Sequence, residues 1–281
     1  MDPIIHYPAV LRIDGFPDLS GFGLAVALGF LIGDFVSSRE LVRRGHDPAP
    51  VGAAMIGAIL GFIVGAKGYY AVLEGDWSLL LSREGLVFWG GLIGGVIGAW
   101  IALRVKRAPF WRVADVAGIG IAAGYAVGRT GCWAVGDDYG LPWDGPLATV
   151  FPEGTPPSTA INLSRQFGID FPPTIDPMTV IAVHPTQLYE VAMGLVMFAI
   201  LWRLRDHRRT EGWLLGVYGV LAGIERLIVE FFRAKDDRFF GVLTLAQVIA
   251  IGVLVAGVAL MRMRRGIGRQ APRHVNSPRY P

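Results

Sequence analysis

Seven apolar stretches, at 20–36, 51–73, 86–105, 113–127, 188–202, 213–232 and 243–261, leave this 281-residue chain few ways to fold. A run of about 20 apolar residues is the length an α-helix needs to cross a hydrocarbon core. Inside that core every backbone polar group must be satisfied by the protein itself, so such runs become helices. The composition agrees: 53% of residues are hydrophobic and only 17% are charged, where soluble domains carry roughly 25% charged residues. The pattern predicts an all-α integral membrane protein, with seven transmembrane helices and a small irregular extracytoplasmic cap.

Basic residues set the orientation. Arg39, Arg43 and Arg44 follow the first stretch, and Arg104, Lys106, Arg107 and Arg112 follow the third. Arg203, Arg205, Arg208 and Arg209 follow the fifth, and a run from Arg262 to Arg279 follows the seventh. Asp2, Asp14, Asp18, Glu74, Asp76, Glu84, Asp137, Asp138, Asp144 and Glu153 dilute the opposite side. The N-terminus is therefore expected outside and the C-terminus in the cytoplasm. It lacks the positive segment of a cleavable signal, so the first stretch is expected to stay as a membrane helix.

The expected division is an extracytoplasmic segment 1–19, helices one to four over 20–139, a cap over 140–183, helices five to seven over 184–261, and a basic cytoplasmic tail 262–281. Eight prolines between Pro142 and Pro177 argue against long helices in the cap. The pI of about 9.2 is accounted for by basic residues facing anionic lipid, with no nucleic-acid partner.

Glycines recur at helical spacing: Gly57, Gly61 and Gly65; Gly90, Gly91, Gly94, Gly95 and Gly98; Gly120, Gly124 and Gly128. Such faces let helices approach closely in lipid. The single cysteine, Cys132, excludes an intrachain disulfide framework, and reads as a buried inert thiol. The five histidines have no short-range ligand spacing, so no metal or cofactor is expected.

Ionisable residues in or beside apolar runs are costly and need a reason. Three sets fall on the expected outer side. Arg129 stands with Asp137 and Asp138 in the segment 128–140, Gly-Arg-Thr-Gly-Cys-Trp-Ala-Val-Gly-Asp-Asp-Tyr-Gly. His-Pro-Thr-Gln-Leu-Tyr-Glu, His184 to Glu190, opens the fifth stretch. Arg226 and Glu230, four apart and so on one helix face, lie in the sixth, followed by Arg233 and Lys235.

Arg129 and Arg226 suit a two-arginine clamp on a phosphodiester. His184 is the candidate general base. Each set also has a structural alternative: Arg129 can snorkel, Arg226 and Glu230 can pin helices, and Thr186 with Glu190 can cap the fifth helix.

These motifs, with Phe-Trp-Gly-Gly-Leu-Ile-Gly ending at Gly94, resemble the prolipoprotein diacylglyceryl transferase family over most of the chain. The resemblance implies transfer of a diacylglyceryl group from phosphatidylglycerol to the lipobox cysteine of a prolipoprotein signal peptide, within the bilayer and without a cofactor. It puts Arg129, Arg226, Glu230 and His184 in catalysis. It puts Asp137, Gly140, Gln187, Tyr189, Glu190 and Trp89 in substrate binding.

Three positions depart from the family pattern: Trp89 stands where the family has His, Cys132 where it has Asn, and Phe22 where it has Tyr. Imidazole, amide and phenol give way to weaker donors and acceptors. Transfer, or lipid and prolipoprotein binding without transfer, are both compatible with these residues. A transporter is disfavoured, because there is no inverted repeat and the ionisable residues sit near one face rather than the midplane.

Overall fold

The computed structural model describes residues 10–11, 19–82, 85, 87–234, 238–239 and 243–267. Lys235 and the tail beyond residue 267 lie outside them. Among the described residues there are eight α-helices: α1 (Gly21–Arg43), α2 (Ala49–Glu74), α3 (Phe88–Val105), α4 (Phe110–Val135), α5 (Ala160–Phe167), α6 (Thr186–Leu204), α7 (Trp213–Glu230) and α8 (Leu245–Met263). Two short antiparallel strand pairs, Val10–Leu11 with Leu19–Ser20 and Arg238–Phe239 with Leu243–Thr244, stand before α1 and α8.

Five of these helices, α1, α2, α4, α6 and α8, are long and apolar enough to cross a membrane. The described apolar part of α3, Trp89–Val105, is shorter. The 18 residues of α7 include Glu225, Arg226 and Glu230. This is an all-helical protein with membrane-spanning helices.

Helix ends follow from local chemistry. Ser20 caps α1, its Oγ accepting from the Gly23 N–H at 3.0 Å. Thr244 and Gln247 form a reciprocal capping box on α8, at 3.1 and 3.0 Å. Proline enters α2 at its first turn, and Gly75 in the left-handed region ends it.

The expected fourth stretch ended at residue 127, because Arg129 breaks the apolar run. The helix instead continues to Val135 and stops at Gly136, whose φ of 65° ends it. That extension puts Arg129 and Cys132 on the same face, one turn apart.

The helices pair as antiparallel neighbours, α2 with α3, α1 with α4, and α7 with α8, with α6 against α4 and α7. The glycine stripes are the seams. A Cβ on Gly61 or Gly65 would overlap the carbonyls of Gly94 and Gly90, and one on Gly29 would lie 2.7 Å from the carbonyl of Gly124. Gly128, read as part of such a stripe, has open space where a Cβ would go, so its lack of a side chain is not required by the seam.

The α4 helix is central and the most deeply buried. Ile119 and Ala122 of α4 join Met197 and Leu201 of α6 and Leu214 and Val217 of α7 in the main core. Leu41, Val51, Leu103, Val113 and Val116 close the end of the bundle where α4 begins. A third cluster, Tyr139, Phe151, Leu163 and Val183, organises the connection 140–183, which holds α5 and isolated β-bridges.

Candidate active site

The site forms where α4 ends and α6 begins, beside the last turns of α7. Arg129 reaches from α4 to Glu190 on α6, and its Nη1 lies 3.1 Å from Asp138 Oδ2. Arg226 pairs with Glu230 Oε2 at 3.0 Å, and lies 3.7 Å from Glu190 Oε1. Arg233, just past α7, bonds Asp138 Oδ1 at 2.5 Å and approaches Glu190 and Glu230 at 3.9 and 4.0 Å. Glu190, with a side chain only 2% exposed, is thus the common partner of three arginines.

Tyr125 adds to the cluster from one turn below Arg129. Its hydroxyl lies 2.9 Å from Glu225 Oε1 and 3.2 Å from Glu190 Oε1. One phenolic proton serves one of these carboxylates at a time. Asp138 and Arg233 stood in the polar sets of the sequence without a site role, and Tyr125 and Glu225 were not singled out. Two signals for them exist in the sequence: Tyr125 is four residues before Arg129, and Glu225 is a carboxylate in an apolar helix.

Accessibility separates the three arginines. The Arg226 side chain is 29% exposed, against 13% for Arg129 and 5% for Arg233. Arg226 is therefore the guanidinium most open to an incoming anion.

The turn 136–138 and the His184–Glu190 motif hold each other. Gly136 and Asp138 both adopt positive φ, 65° and 56°, which folds Asp138 back over Arg129. Thr186 was expected to cap α6, but Pro185 occupies the cap position and no side chain caps it. The Thr186 hydroxyl instead donates to the Asp138 carbonyl at 2.6 Å, and Gln187 Nε2 donates to the Asp137 carbonyl at 2.5 Å. Glu190 lies past the first turn of α6, where it holds arginines rather than capping.

The two acids of the turn differ. Guanidinium groups of Arg233 and Arg129 outweigh the burial of Asp138 and hold its carboxyl down at about 2. Burial and the neighbouring Asp138 charge push Asp137 up to about 6. Asp137 faces the Cys132 thiol rather than an arginine. Cys132 Sγ and one oxygen each from Asp137 and Asp138 lie within 4.8 Å of one another. Arg129 Nη1 stands 3.2 Å from that sulfur and also bonds Asp138, so guanidinium already answers the negative charge a cation would need.

His184 sits beside this network in an aromatic group. Its ring stacks on Trp143 at 4.4 Å, meets Phe232 edge-on at 5.3 Å, and its Nδ1 is 3.1 Å from the Tyr189 hydroxyl. Burial lowers its pKa, which favours the neutral ring. Gly140 lies against the same group, its N–H donating to the His184 carbonyl at 2.8 Å. Trp89 is 37% exposed at the start of α3, which packs chiefly on α2.

The sequence matches the family model for prolipoprotein diacylglyceryl transferase over residues 8–263. The chain belongs to the prolipoprotein diacylglyceryl transferase family. A relative in this family from Nitratidesulfovibrio vulgaris, named phosphatidylglycerol–prolipoprotein diacylglyceryl transferase, is 30% identical over 261 residues, covering 87% of this chain and 89% of its own. Proteins of the same name from Chromohalobacter salexigens and Bacillus cytotoxicus are 28% and 29% identical, covering 85% and 90% of this chain and 85% and 91% of their own.

Two departures from the diacylglyceryl transferase pattern fall close to the cluster. Cys132 touches Arg129 directly. Phe22 borders α4 through its backbone, since a Cβ on Gly131 would lie 3.2 Å from Phe22 Cα and 2.7 Å from Ala25 Cβ.

Gly140 gives this family member a steric test. An added Cβ would overlap the Phe232 carbonyl and lie 2.8 Å from both His184 Cβ and Thr186 Cγ2. The first is backbone, the second is a Cβ fixed by its own backbone, and the third is a methyl held by the bond of the Thr186 hydroxyl to the Asp138 carbonyl. Gly140→Ala is expected to cost about 1–3 kcal/mol of stability by overpacking. Thermal unfolding in detergent reads this loss, and an unchanged midpoint would contradict the packing.

Proposed function

We propose that this protein transfers the diacylglyceryl group of phosphatidylglycerol to the lipobox cysteine thiol of prolipoproteins. The observation that carries this reading is the gathering of Arg129, Arg226 and Arg233 around one buried carboxylate, with Arg226 partly open. Preorganised guanidinium groups stabilise negative charge as it develops on a leaving phosphate. The family membership supports the same reaction.

In the proposed step the cysteine sulfur attacks the glycerol carbon that bears the phosphate ester. A C–S bond forms, the C–O bond to phosphate breaks, and glycerol phosphate leaves with the thiol proton. Arg226 holds the phosphate, Glu230 orients Arg226, and Arg129 neutralises Glu190 so that this carboxylate does not repel the phosphate. His184 takes the thiol proton and passes it on to the leaving glycerol phosphate. A thiol with a pKa of about 8.5 needs only modest help to ionise. Asp137, Gly140, Gln187, Tyr189 and Trp89 line or brace the substrate path.

The reading includes seven spans in a bacterial plasma membrane, the N-terminus outside and the C-terminus in the cytoplasm. The connection 140–183 then caps the outer face beside the arginine cluster. Five apolar helices and the one-sided basic residues support this topology.

One observation favours the second reading, binding without transfer: Glu190, Asp138 and Cys132 already occupy Arg129. Incubating the purified protein with phosphatidylglycerol and a lipobox peptide separates the two. A diacylglyceryl mass gain on the peptide cysteine is expected; lipid binding with no mass gain would select the second reading.

A further inference from the structure

A second pocket stands at the far end of α4. Residue 110 opens that helix and residue 129 nears its other end, which separates the two by roughly 28 Å along the axis. There the chain turns from α3 to α4 through 106–109, and the turn closes with Ala108 N–H donating to the Leu103 carbonyl at 2.9 Å. Arg107 sits in it at a φ of 51°, a conformation that glycine adopts more readily.

A pocket of about 620 Å³ opens between the helix ends, and its lining includes Trp100, Arg104, Arg107, Phe110 and Trp111. Among the described residues neither Arg104 nor Arg107 has a carboxylate partner, although Arg112 next to them pairs with Glu211 at 2.6 Å. Arg104 lies 4.9 Å from the Trp100 ring centre, and Arg264 of the last turn lies 4.2 Å from that of Trp111. Trp100 and Val105 are 45% and 75% exposed, so an apolar surface continues from the pocket along α3.

A neighbouring pocket at the same end makes the contrast. Its lining includes Arg39, Arg43 and Arg205. However, Glu40 holds Arg43 at 2.7 Å, Asp206 holds it at 2.8 Å, and Arg205 lies 3.9 Å from Glu40. Two of its three cations are answered by carboxylates, whereas among the described residues Arg104 and Arg107 are not.

We propose that the pocket at the α3–α4 turn binds the phosphate headgroup of an anionic phospholipid in the leaflet at that end. The acyl chains then lie on Trp100 and the exposed face of α3. Two guanidinium groups with no carboxylate partner among the described residues supply the charge, and aromatic rings at the membrane edge supply the amphipathic wall. This inference rests on the reading of α3 and α4 as membrane-spanning, but it does not need the transfer reaction.

The full chain is placed in phosphatidylcholine nanodiscs with increasing phosphatidic acid, and its thermal unfolding is followed. Arg104→Gln with Arg107→Gln is expected to raise the half-saturating fraction of phosphatidic acid roughly ten- to thirty-fold. Arg107→Gly keeps the turn, since glycine adopts its φ without strain. It should unfold no earlier than wild type in phosphatidylcholine, yet respond more weakly to phosphatidic acid. Arg203→Gln with Arg208→Gln removes equal charge from the same end and should respond as wild type. A normal response from the Arg104/Arg107 variant, or an equal loss in the Arg203/Arg208 variant, would overturn the proposal. Failure to enter nanodiscs at all would instead contradict the membrane-spanning reading.

Discussion

Arg226→Ala is expected to slow thioether formation on a lipobox peptide by roughly 10²–10³-fold, the usual cost of removing one preorganised charge stabiliser. Arg226 is the most exposed of the three clustered arginines, at 29% against 13% and 5%. It can accept a phosphate without first breaking the bond between Arg129 and Glu190. Removing it takes away charge stabilisation that grows as the phosphate leaves, so kcat should fall more than KM rises. Arg226→Lys should recover part of the rate, because it restores the charge but not the planar two-donor fork. Arg226→Ala also leaves the buried Glu230 carboxylate with Arg233 at 4.0 Å as its nearest cation, so it should unfold earlier than wild type and its rate is read on the folded fraction, whereas Arg226→Lys keeps the charge and should stay folded. An Arg226→Ala rate within a few-fold of wild type would contradict the assignment.

The second large effect is expected at Glu190. Its carboxylate is 2% exposed and faces Arg129, Arg226 and Arg233 together. Glu190→Gln keeps the volume but leaves these guanidinium groups short of one negative charge in a buried place. Breaking a buried ion pair by removing one partner costs about 3–5 kcal/mol. The unfolding midpoint should fall by roughly 10 °C, given about 2–4 °C per kcal/mol in chains approaching this size. Adding Arg129→Gln to Glu190→Gln should recover part of that loss, because the unpaired charge is then removed as well. Additive losses in the double variant would show that the two residues do not form one unit.

Hydropathy alone reveals the membrane character, and the glycine spacing reveals close-packing faces on the second, third and fourth stretches, because both depend on local periodicity; which helices meet along them comes only from the fold. Arg129, Arg226, Glu230 and Glu190 are legible for a related reason, as ionisable residues placed in or beside apolar runs. The choice of Asp138 over Asp137 as the arginine partner is not. It depends on positive φ at Gly136 and Asp138, a backbone turn that no side-chain pattern announces.

Thr186 carries the same lesson. Beside an approaching helix it reads as a cap, but its hydroxyl goes to a carbonyl 48 residues away. A local motif cannot report a partner that only tertiary packing brings near. Arg233 was visible in the sequence motif beside Glu230, yet its place depends on the chain bending after α7 towards Asp138.

The most direct test of the account joins mass spectrometry of a lipobox peptide to measurement of released glycerol phosphate, with phosphatidylglycerol as the only lipid donor. The expected result is a diacylglyceryl thioether on the peptide cysteine and one glycerol phosphate for each thioether, both suppressed together by Arg226→Ala. Glycerol phosphate release without thioether, or a wild-type protein that binds the lipid and leaves the peptide unchanged, would contradict it.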